Sequence, residues 1–82
     1  MKLTAIFARN LRLLRSKAGL TQSQLASLAG TNRGYIGKLE REANSPTLDK
    51  VEAIVIALQL DLDSMLDRDL PARMKAESGA QS

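Results

Sequence analysis

The 82-residue sequence predicts an all-α protein, a compact bundle of five short helices. Three observations predict it. Apolar residues recur at steps of three and four through most of the chain, the spacing that lays them along one helix face. Threonine or aspartate, residues whose side chains cap helix N-termini, stands just before each of these stretches. Glycine or proline punctuates most of the joins, where a helix has to stop.

Thr4 is the expected cap of the first helix, which runs to about Ala18 with Leu3, Ile6, Phe7, Leu11, Leu14 and Ala18 as its inward stripe. Gly19 ends it. Thr21 followed by Gln24 is a capping box, in which a side-chain oxygen accepts from an orphan N–H and the glutamine reaches back. Leu25, Ala26 and Ala29 form the apolar face of this second helix, and Gly30 stops it. Thr31 is expected to cap again, with Ile36 and Leu39 pointing inward from a third helix and Asn32 at its first position. Two short helices joined by a glycine turn describe a helix-turn-helix, whose second helix can enter a DNA major groove.

Opposite Ile36 and Leu39 on the helical wheel lie Arg33, Gly34, Gly37, Lys38 and Arg41. Glycine disfavours a helix but lets a backbone approach DNA closely, and arginine and lysine meet bases and phosphates. A solvated basic face with tolerated glycines has the same composition.

A polar loop, REANSPT, follows, and Pro46 bars the helix from extending backwards. Thr47 caps a fourth helix to about Leu58, with Leu48, Val51, Ile54, Val55 and Leu58 inward. Asp61 caps a short fifth helix through Leu66. Asp61, Asp63, Asp67 and Asp69 fit caps and a solvated rim better than a metal cluster, so no metal or cofactor is expected. Residues 1–69 form one domain on this reading, and residues 70–82, small and polar without lasting periodicity, a flexible tail.

Composition narrows the function. With no cysteine and no histidine, disulfides, the usual zinc ligands and His- or Cys-based catalysis are excluded. Phe7 and Tyr35 are the only aromatics, so the core is aliphatic. Residues 1–58 carry nine Lys/Arg against four Asp/Glu, and residues 59–82 three against five. A basic body suits a polyanionic partner. The longest apolar stretch, AIVIALQL, is too short to span a bilayer, and a cytoplasmic protein is expected.

From Leu11 to Leu66 the sequence resembles the Cro/C1-type (XRE-like) helix-turn-helix family of phage repressors and restriction–modification controllers. The resemblance rests on Leu11, Leu14, Arg15, Gly19, Leu20, Thr21, Gln22, Leu25, Ala26, Gly30, Ile36, Leu39, Glu40, Pro46, Leu48, Ile54, Ala57, Leu58 and Leu66, and covers roughly residues 4–67. The family usually has glycine where Glu42 stands, and often where Gln59 stands.

The resemblance implies a lambda-repressor-like fold. It implies a transcription regulator that binds a palindromic DNA operator as a homodimer, with the third helix in the major groove. It pairs Arg15 with Glu40 as a link between the first and third helices. It sets Gln22 on a phosphate, Arg33, Gly34 and Lys38 on bases, and Arg41, Asn44 and Thr47 on the backbone, with Asn32 either touching DNA or supporting the cap.

Ile56, far from the apolar centre of the fourth helix, is expected to join Leu62, Met65 and Leu66 in the dimer interface. The alternative is an antitoxin-type module whose main partner is another protein, for which the off-stripe Leu13, Leu28 and Ile56 are the supporting feature. An enzyme is not expected, because no constellation of catalytic residues stands out.

Overall fold

The structure, a computed structural model, describes residues 1–80, with side-chain environments as far as residue 77. Its elements are α1 (Leu3–Lys17), α2 (Gln22–Leu28), α3 (Arg33–Glu40), α4 (Leu48–Ala57), α5 (Leu62–Met65) and α6 (Leu70–Ala80). No strand occurs among the described residues, and the all-α bundle with its helix-turn-helix is as expected.

The caps explain most of the boundaries. Thr21 accepts from the Gln24 N–H at 3.0 Å while Gln24 Oε1 accepts from the Thr21 N–H at 2.8 Å, completing the capping box. Thr47 and Asp61 cap α4 and α5 by accepting from the backbone of Lys50 and Ser64. Two expected caps move. α3 is capped by Asn32, whose Oδ1 accepts from the Tyr35 N–H at 2.9 Å. Thr31 instead belongs to the turn that ends α2, its N–H donating to the Ala26 carbonyl at 2.9 Å. α1 starts before Thr4, at Leu3, with no side-chain cap.

Four successive helices end in the same turn. The residue two past each C-cap donates back to a carbonyl five residues earlier: Leu20 to Arg15, Thr31 to Ala26, Ala43 to Lys38 and Leu60 to Val55. The turn requires a left-handed residue in between. Gly19 (φ 74°) and Gly30 (φ 70°) supply two, but Glu42 (φ 61°) and Gln59 (φ 57°) supply the others. Each of the latter carries a Cβ into a region that costs an L-residue about 1–2 kcal/mol. The turn survives without its glycines, so it is the backbone hydrogen bonds that hold it.

Phe7, Leu11 and Leu14 of α1, Leu25 of α2, Ile36 and Leu39 of α3, Val51 and Ile54 of α4, and Met65 of α5 meet in one core that is aliphatic but for Phe7. Leu48 does not join them. It is 83% exposed in the first turn of α4, although it lies on the same helical face as Val51 and Val55. Leu3 and Ala18 are likewise outside the α1 stripe.

Beyond residue 69 the expected tail is helix as far as Ala80. Leu70 is buried and Met74 packs partly against the core, an i, i+4 pair too brief to show as periodicity. Asp67 accepts from Arg73 Nε at 2.6 Å, and Lys17 of α1 reaches Glu77 at 3.1 Å.

One buried polar residue organises this end of the bundle. Asn10, fully buried on α1, donates to the carbonyls of Met65 at 3.0 Å and Asp67 at 2.8 Å. Its neighbour Arg9 donates to Asn10 Oδ1 and to the carbonyls of Asp67 and Arg68. The orphan carbonyls where α5 ends are thereby satisfied by α1.

Candidate nucleic-acid interface

α3 is eight residues long and has two unlike sides. Ile36 and Leu39 are fully inward, while Arg33, Gly34 and Lys38 are exposed, as is Arg41 at the C-cap. The one acidic side chain on α3 is Glu40, and it is 4% exposed. Arg15 grips it with two prongs, Nε to Oε2 at 2.6 Å and Nη2 to Oε1 at 3.0 Å, and uses its remaining nitrogen on the Leu20 carbonyl at 2.9 Å. Hydrogen bonding to Glu40 raises the Arg15 pKa further, with the glutamate charge acting in the same sense and partial burial opposing both.

Two more side chains converge on this pair. Gln22 Nε2 donates to Glu40 Oε1 at 3.1 Å, and Arg12 Nη1 donates to the backbone carbonyl of Glu40. Glu40 is thus neutralised and enclosed, and no carboxylate on α3 opposes an approaching anion. Among the described residues, Arg33, Lys38 and Arg41 form no ion pair. The outward side of α3 is cationic and uncommitted.

Gly37 is a correction. The wheel grouped it with the outward residues, but it is buried, because α2 packs on that flank of α3. Gln22, expected on a phosphate, is half-buried with one donor committed to Glu40. Asn32 is exposed at the head of α3 while its side-chain oxygen serves the cap, and Asn44 and Thr47 are exposed between α3 and α4. Tyr35 is half-buried with Lys50 Nζ 5.7 Å from its ring centroid.

Of the residues expected to join two copies, Ile56 is 67% and Leu62 44% exposed, and Leu66 is half-buried. Met65 is fully buried and belongs to the core: in a four-residue helix the one inward residue is not marked by any repeat. Sequence reasoning passed over Asn10, Arg12 and Lys50. A polar residue amid the α1 stripe was the available signal for Asn10.

No described helix is long and apolar enough to cross a membrane.

A capped helix pair with a basic, unpaired second helix is the architecture of DNA-binding regulators. The chain belongs to the helix-turn-helix domain family, whose model matches residues 6–68. It is 35% identical over 68 residues to the control protein C.SmaI of Serratia marcescens, spanning 83% of this chain and 81% of that one. It is 30% identical over 61 residues to the immunity repressor protein of Bacillus phage phi105, covering 74% of this chain and 42% of that one.

Among solved structures it resembles the restriction-modification controller protein C.AhdI from Aeromonas hydrophila, at 32% identity and a TM-score of 0.73. That match covers 76% of this chain and 94% of that one. It also resembles the hypothetical transcription factor NHTF from Neisseria, at 31% identity and a TM-score of 0.80, over 92% and 85% of the two chains.

Proposed function

We propose that this regulator binds a palindromic operator as a homodimer and acts as a restriction–modification controller. The observation that carries the DNA reading is the outward side of α3, where Arg33, Lys38 and Arg41 stand unpaired while Glu40 is neutralised by Arg15. Arg33, in the first turn of α3, has the fork to bond guanine at O6 and N7, with Gly34 allowing close approach and Lys38 one turn on. Gln22, Asn32, Arg41, Asn44 and Thr47 surround these and meet the sugar–phosphate backbone.

The controller reading is supported by the likeness to C.SmaI and C.AhdI. A two-fold dimer doubles the base contacts available to one short helix. Ile56 and Leu62, exposed aliphatics at the α4–α5 end, supply its contact, with half-buried Leu66 beside them.

Selection from a random duplex pool tests the reading. The expected product is an inverted repeat, bound with two chains per duplex. Arg33→Ala should weaken binding to that duplex by about 1–3 kcal/mol and relax preference at one position per half-site. Equal weakening on a scrambled duplex would remove the base-reading role.

A further inference from the structure

Gly37 lies where α3 passes the start of α2. A Cβ built on it would stand 3.0 Å from Arg41 Nη1, and 3.8 and 3.9 Å from the two amide atoms of Gln22. The space a side chain would take is therefore filled by the Arg41 guanidinium, folded back one turn along its own helix. The walls of this notch are fixed: Gln22 is tied to Glu40, and Glu40 to Arg15. Glycine is a poor residue for a helix interior, so its presence here calls for a reason other than helix formation.

We infer that Gly37 is a positioning residue for DNA binding. By leaving a notch it docks Arg41 against Gln22, so that a guanidinium from the end of α3 and a carboxamide from the start of α2 form one clamp for a single backbone phosphate. The inference rests on the DNA-binding reading of α3. Arg41 has no carboxylate partner among the described residues, and its fork matches two non-bridging phosphate oxygens. The Gln22 amide nitrogen has a second hydrogen beyond the one given to Glu40. The clamp sits on the α2 flank and at the C-terminal end of α3, away from Arg33 at its head, which suits the backbone rather than base edges.

The test uses the full chain, the duplex recovered by selection and a scrambled duplex of equal length, each at several salt concentrations. Wild type is measured first; failure to bind either duplex would overturn the DNA-binding reading and the clamp with it. Gly37→Ala should melt no lower than wild type yet bind both duplexes about threefold more weakly, since the guanidinium need yield only slightly. Gly37→Val should match Arg41→Ala, about tenfold weaker on both, with the salt slope reduced by about 0.9 per subunit. Added to Arg41→Ala, either Gly37 substitution should cost nothing more. Wild-type affinity and slope in the Gly37 variants, or losses additive with Arg41→Ala, would overturn the clamp and leave Gly37 a packing residue. If Gly37→Val does not fold, the coupling of Gly37→Ala to Arg41→Ala decides.

Discussion

Arginine meets carboxylate on opposite sides of this bundle, in surroundings that could hardly differ more. On one side Arg15 holds a glutamate that is 4% exposed, with Gln22 and Arg12 closing around it. On the other, Arg73, 65% exposed, holds Asp67, 18% exposed, and Lys17 holds Glu77 with both side chains more than half exposed, so each pair keeps at least one partner largely in water. The buried pair has lost its hydration and depends on its partner; the exposed pairs keep theirs. The first fixes the angle of the recognition helix, the second dresses the end of the chain. What secures that far end is instead a neutral amide, Asn10, on backbone carbonyls.

Breaking the buried pair should have the largest effect. Arg15→Ala or Glu40→Ala strands a charge and should cost about 3 kcal/mol, less where water reaches it. Urea melts of both single variants and the double variant measure this, and a coupling energy near zero would abolish the contrast between the two sides.

Asn10→Ala comes next, at about 2 kcal/mol, because the carbonyls of Met65 and Asp67 lose a buried donor. Its mark should be local: amide exchange accelerating across α5 and α6 while α2 and α3 stay protected. Uniform acceleration would show that the two ends are not separable.

The smallest effect belongs to acid. The Asp69 backbone N–H holds the Asp67 carboxylate below its ordinary range; burial opposes it, and the hydrogen bond and charge of Arg73, with the charge of Arg9, act in the lowering sense. A lowered folded-state pKa contributes stability that is fully present above the ordinary carboxylate pKa and disappears as pH falls through the lowered value. Amide protection at the start of α6, corrected for the intrinsic exchange rate at each pH, should fall over that window in wild type and hold steady there in Asp67→Asn. Identical profiles would remove the ion pair from the account of α6.

Local chemistry made much of this legible in the sequence. Thr21 with Gln24, Thr47 and Asp61 cap where the sequence placed them, since each cap involves residues three apart and needs no tertiary partner. Arg15 with Glu40 was legible only through the family resemblance, because nothing local joins residues 25 apart. The misses share a cause. Gly37 lies opposite the core by its wheel angle, yet a neighbouring helix covers it; Met65 sits in a helix too short to repeat; Leu70 and Met74 are a single pair. Each is decided by what packs alongside, which a one-dimensional pattern does not contain. The cap of α3 moved one residue on, to Asn32, because the turn ending α2 extends through Thr31.

α1 carries one further consequence. Between Arg9 and Arg15, a rise of about 9 Å, it grips the α5–α6 end through Arg9 and Asn10 and the recognition helix through Arg12 and Arg15. It therefore works as a ruler. In the proposed dimer, joined at the α4–α5 end, this stiff segment would help to set the separation of the two α3 helices. On the proposed palindromic operator, the spacer between half-sites would then be set by the protein, and inserting or deleting a base pair there should be met by bending or twisting of the DNA.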